Sequence, residues 1–159
     1  MKNGKIYFVF FVLFLFVTTS CDSDNEKDTS GPTITLIEPE KGEEYKAGDA
    51  DGVHIEFDLA DESGIEQYKI DIHDGSGHSH SSTLKADAAT IAWSYQKVYD
   101  DAKGLKNHHV HIHSEAIPEA AKLGDYHLMI YATDVLGNES FVYTTIKIVD
   151  HEVEHDHDE

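Results

Sequence analysis

Val53-His54-Ile55-Glu56-Phe57-Asp58-Leu59 alternates without interruption between an apolar and a polar residue. Side chains of an extended chain point to opposite faces with a period of two. This run is therefore a strand with Val53, Ile55, Phe57 and Leu59 facing a core and His54, Glu56 and Asp58 facing away. Similar short runs recur between clusters of Gly, Asp, Asn and Ser, and no segment carries a long helical period. The pattern predicts strands near Thr33–Ile37, Val53–Leu59, Ile65–His73, Thr90–Val98, His108–Ser114, Asp125–Thr133 and Ser140–Val149, with one short helical turn in residues 116–123. The expected fold is all-β, an antiparallel β-sandwich of about seven strands.

The ends of the chain read differently. Lys2 and Lys5 precede an apolar run, Ile6 to Val17, too short to span a bilayer as a mature helix but the right length for the core of a secretory signal. The run meets Thr18-Thr19-Ser20-Cys21, and Cys21 is the only cysteine. Small residues before a lone cysteine resemble the lipobox of bacterial lipoproteins, which implies cleavage before Cys21 and acylation of its thiol and new amino group. Thr18 departs from the usual Leu or Val of that motif. Asp22 to Asp28 resembles the acidic export signal of surface lipoproteins of Bacteroidetes. The expected organisation is a signal peptide at 1–20, a lipidated Cys21 with an acidic tether at 21–31, a β-sandwich domain at 32–150 and a His- and acid-rich tail at 151–159. The expected location is the outer membrane, facing the exterior.

Further residues support a family resemblance. Gly124-Asp125-Tyr126 resembles the tyrosine corner of immunoglobulin-like domains, and Asp134 to Asn138 reads as a turn between the last two strands. With the Pro32 opening, Ile70-Asp71-Ile72-His73 and the His-rich segment after Asn107, residues 32–149 resemble a family of Ig-like lipoproteins of Bacteroidetes catalogued as a domain of unknown function. The resemblance implies a fold and a location and brings no activity.

Charge narrows the partners. The formal charge is −19, becomes −21 once Lys2 and Lys5 leave with the signal, and includes no arginine. Nucleic acid and anionic lipid need clustered positive charge, so neither is an expected partner. Cations are favoured.

Histidine supplies the ligands. There are 12, mostly in His-x-His pairs: His78 and His80, then His109, His111 and His113, then His155 and His157 in the tail. Imidazole suits zinc, copper and nickel, and alternation along a strand turns each pair into a clamp. In a sandwich of alternating strands, His54, His73, His78, His80, His113 and His127 fall at one end, and the last strand delivers His151 and the tail there as well. The candidate metal ligands are therefore His54, His73, His78, His80, His109, His111, His113 and His127, with Glu115, Asp74 and Glu56 as nearby carboxylates. Trp93, Tyr95 and the other aromatics read as packing.

No enzyme is expected. His109-Val110-His111 on a sandwich is similar to copper/zinc superoxide dismutase, yet the glycine lead-in, the disulfide and the guiding arginine are missing. A hydrolase would need a placed base and an open coordination position, for which the pattern holds no signature. The expected function is capture, buffering or delivery of a transition metal by a surface lipoprotein. Zinc comes first, with copper or nickel next, and delivery would call for an outer-membrane transporter as partner. The alternative is a non-catalytic adhesion or assembly module of the envelope that binds a protein or glycan. Calcium in the Asp-rich loops is a third reading, one that would ignore the histidines.

Overall fold

The computed structural model describes residues 28–75 and 90–153. Within them lie eight strands: β1 (Thr33–Glu38), β2 (Glu44–Lys46), β3 (His54–Ala60), β4 (Ile65–Asp74), β5 (Ser94–Tyr99), β6 (Asn107–His113), β7 (Gly124–Asp134) and β8 (Glu139–Val149). They form two sheets, of order β1-β3-β6 and β2-β8-β7-β4-β5. The all-β sandwich expected from alternation is what forms.

The core fills the space between the sheets. Val53, Ile55, Phe57 and Leu59 of the first sheet meet Tyr68, Ile70, Ile72, Leu128, Ile130 and Ile146 of the second, every one of them at most 1% exposed. The rings of Phe57 and Tyr68 meet edge to face at 5.5 Å, the arrangement that ring quadrupoles favour. Val110 is buried and Ile112 partly so, while His109, His111 and His113 face solvent, which is the register alternation predicts for β6.

Three expectations need correction. The strand expected at Thr90–Val98 occupies Ser94–Tyr99 and pairs with β4, at the edge of the second sheet, so β6 has β3 as its neighbour in the first sheet. β2 has three residues, too few to show a period, and pairs in parallel with β8. Residues 116–123 form no helix. Ile117 N–H donates to Asp49 O, Ala121 N–H donates to Pro118 O, and a bridge joins Ile91 to Ala121, so buried Ile117 and Ala121 close the sandwich as a packed loop.

Two local devices fix β7. Tyr126 Oη donates to Lys122 O at 2.9 Å, as a tyrosine corner does. At the other end the carboxylate of Asp134, 1% exposed, accepts from Leu136 N at 2.8 Å, Asn138 N at 2.7 Å, Asn138 Nδ2 at 2.7 Å and Ser63 Oγ at 3.3 Å. Burial pushes this carboxyl up, and the donors outweigh it, leaving it below the usual carboxylate range. A depressed native value contributes stability that is complete above the unfolded-state value and lost as pH falls through the folded one. Asp134→Ala should therefore lower stability at pH 7 by about 2 kcal/mol or more. Urea unfolding should show the gap to wild type closing below about pH 4; a gap unchanged down to pH 3 would contradict this account.

Candidate metal centre

The register of β3 and β6 places His54 opposite His113, Glu56 opposite His111 and Asp58 opposite His109. All six alternate with core residues and so share the outer face of the first sheet. His54 sits on the central strand, between β1 and β6. Its ring lies 5.0 Å from that of His113, directly across, and 4.7 Å from that of His111, on the diagonal. One ligand atom from each of the three lies within 4.8 Å of the others. Imidazoles bound at about 2.0–2.1 Å to one tetrahedral zinc have centroids about 5 Å apart, so these rings stand close to the spacing a shared ion imposes.

The surroundings orient the rings. Between Leu36 and Glu38 the β1–β3 register slips: Leu36 faces Phe57, and Glu38, not Ile37, faces Glu56. Without the extra residue Glu38 would point into the core. The bulge turns it outward, and its Oε2 lies 2.6 Å from His54 Nδ1. A carboxylate on one ring nitrogen fixes the tautomer so that the other, Nε2, carries the lone pair. That Nε2 is shielded from solvent, and the His54 side chain is 14% exposed, whereas His111 and His113 are open. Ser114 stitches the strand ends together: its Oγ accepts from Val53 N at 2.8 Å, and its N–H donates to Val53 O at 2.9 Å. Gly52 permits this closeness. Its φ is +75°, and a Cβ there would lie 2.6 Å from both Ser114 Oγ and Glu115 O.

The remaining candidates go elsewhere. His109 lies with Nδ1 2.8 Å from Asp58 and Nε2 3.6 Å from Glu56, outside the triad. His73 and His127 face each other across β4 and β7 with rings 5.7 Å apart. They are at the same end of the sandwich as His54 and His113, as expected, but on the outer face of the second sheet. Ile72 and Leu128, their neighbours in sequence, point inward, so the same alternation that exposes His73 and His127 directs them away from the triad. Sheets pack about 10 Å apart, so the pair and the triad, though at one end, cannot share one ion. His151 lies 3.2 Å from Glu44. His78, His80, His155, His157 and Cys21 lie outside the described residues.

Among the expected carboxylates, Glu56 approaches His109, Asp74 pairs with Lys122 at 2.7 Å, and Glu115 is exposed. The carboxylate that does meet the triad is Glu38, which the sequence reading missed; a strand ending at Ile37 gave no sign of the bulge. Asp28, Asp61 and Asp134 also bring oxygens within 4.8 Å of one another, at the opposite end of the sandwich. Trp93 and Tyr95 are buried as expected, whereas Phe141 and Tyr143 stand 57% and 68% exposed on β8, a small aromatic surface that alternation alone did not announce.

A family model described as a domain of unknown function, DUF4625, matches residues 19–149. No curated protein matches the chain. Among solved structures the chain is similar to CopC from Methylosinus trichosporium OB3b, with 12% identity, a TM-score of 0.38, and coverage of 77% of this chain and 100% of that one.

Proposed function

This chain belongs to the family described as a domain of unknown function, DUF4625, and we propose that it binds a transition metal ion through His54, His111 and His113. The observation that carries this reading is the triad itself: three imidazoles from two paired strands, with one ligand atom of each inside 4.8 Å. Nitrogen donors favour zinc, copper or nickel over calcium and magnesium. Zinc is the first choice, because three imidazoles at near-tetrahedral spacing suit an ion with no electronic demand for a square plane. A fourth position is left for water or a partner's ligand. Half-buried His54 anchors the ion, exposed His111 and His113 let it enter and leave, and the chain's net charge of −19 raises the local cation concentration.

Such a site suits capture, buffering or hand-over better than turnover. Among the described residues, Glu38 is engaged with His54 Nδ1 and Glu56 leans toward His109, so neither carboxylate is placed to activate a bound water. A lipid on Cys21 would hold the domain at the outer membrane, facing out, with an outer-membrane transporter as recipient of the ion. Cys21→Ala should then move the protein from the membrane fraction to the soluble one; an unchanged distribution would remove the anchor from this reading.

Calorimetric titration with zinc at neutral pH should show a tight class of one ion per chain and only weak heats with calcium. His54→Ala and His111→Ala should each weaken that class at least a hundredfold. Glu38→Gln should weaken it about tenfold, and His109→Ala less than threefold. Protons compete for imidazole, so affinity should fall steeply from pH 7 to pH 5. Tight binding that survives His54→Ala and His111→Ala would refute the site.

A further inference from the structure

We propose that His73 and His127 form a second, independent transition-metal site on the outer face of the five-stranded sheet. They are Cα partners in the antiparallel pair of β4 and β7, and both project away from the core. Their ring centroids are 5.7 Å apart. Two imidazoles bound to one ion at about 2.0–2.1 Å reach that separation when the angle at the metal is somewhat wider than tetrahedral. An exposed histidine pair with no further order would prove little. This pair is held.

His73 Nδ1 lies 2.8 Å from Asp71 Oδ1, and Gln96 Nε2 of β5 donates to Asp71 Oδ2 at 2.6 Å. The chain of contacts from Gln96 through Asp71 fixes the His73 ring and makes its Nε2 the nitrogen that faces a metal, the role a carboxylate plays behind a ligating histidine. On the other side the backbone passes close to His127 at Gly75. A Cβ on Gly75 would lie 2.9 Å from His127 Cδ2 and 3.0 Å from its Nε2, so the glycine admits the imidazole against the main chain. His73 is thus positioned by Asp71, and His127 lies close against the main chain at Gly75.

The site is distinct from the triad in place and in chemistry. The core and both sheets separate the two, so they share no ligand. Two protein nitrogens leave two or more positions to water, which makes this the weaker and faster-exchanging site. Among divalent ions it ranks copper(II) above nickel and zinc. The domain would then carry one firmly held ion and one loosely held ion, on opposite faces at the same end.

The test is a zinc chloride titration of the isotopically labelled full chain, followed through its histidine ring resonances, which resolves sites that calorimetry merges. His73 and His127 should respond together, at zinc concentrations at least tenfold above those that saturate His54, His111 and His113. His73→Gln should abolish the His127 response and leave the triad unchanged, while His54→Ala should leave His73 and His127 responsive. Asp71→Asn, a near-isosteric change that spares both ligands, should weaken the pair's response about tenfold. The proposal fails if His127 responds equally well in His73→Gln, if the pair stays silent up to millimolar zinc, or if Asp71→Asn has no effect. Each variant's urea unfolding curve should overlay that of the parent, so a lost response reports the site and not the fold.

Discussion

Burial of one face of β3 against β4 and β7 is the constraint from which the rest of the structure follows. Val53, Ile55, Phe57 and Leu59 are all but sealed from solvent, and each such side chain is worth about 1.5–3 kcal/mol on leaving water. A slip of one residue would expose all four and drive His54, Glu56 and Asp58 into the core, where unpaired polar groups cost about as much again. No alternative register competes. Through the β3–β6 pairing the same constraint sets His113 and His111 beside His54, so the histidine triad inherits its geometry from the packing beneath it.

Alternation also divides the histidines. Each sheet has one face inside and one outside, and polar residues of both sheets must turn outward in opposite directions. Histidines that the strand directions bring to one end are therefore parted by the thickness of the sandwich. His54, His111 and His113 stand on one side and His73 and His127 on the other, each group with its own carboxylate behind it: Glu38 on His54 and Asp71 on His73. His109, nearest to the triad in sequence, is taken up by Asp58 and Glu56 instead.

Much of this was legible in the sequence, for physical reasons that vary by element. The faces of β3, β4 and β6 were readable because polar and apolar residues alternate over Val53–Leu59, Tyr68–His73 and His109–His113, and Tyr126 announced its corner through the Gly124-Asp125 lead-in. The shared end followed from strand direction alone. β2 was hidden because three residues carry no period and its parallel pairing with β8 is a long-range event. The sheet joined by β5 was also hidden, since strand pattern says nothing about which edge a strand will choose. The bulge that turns Glu38 outward is a departure from the period on which the sequence reading relies. The histidines could be named as candidate ligands from sequence; their grouping required the fold.

The central claim is that one ion is shared by three imidazoles from two strands, and X-ray absorption at the zinc edge on the full chain loaded with one equivalent of zinc tests it most directly. The account predicts a four-coordinate shell with three imidazole nitrogens at about 2.0–2.1 Å and one further light atom, falling to fewer imidazoles when His54 is replaced by alanine. A shell dominated by carboxylate oxygen, or one whose imidazole count is unchanged by loss of His54, would contradict it.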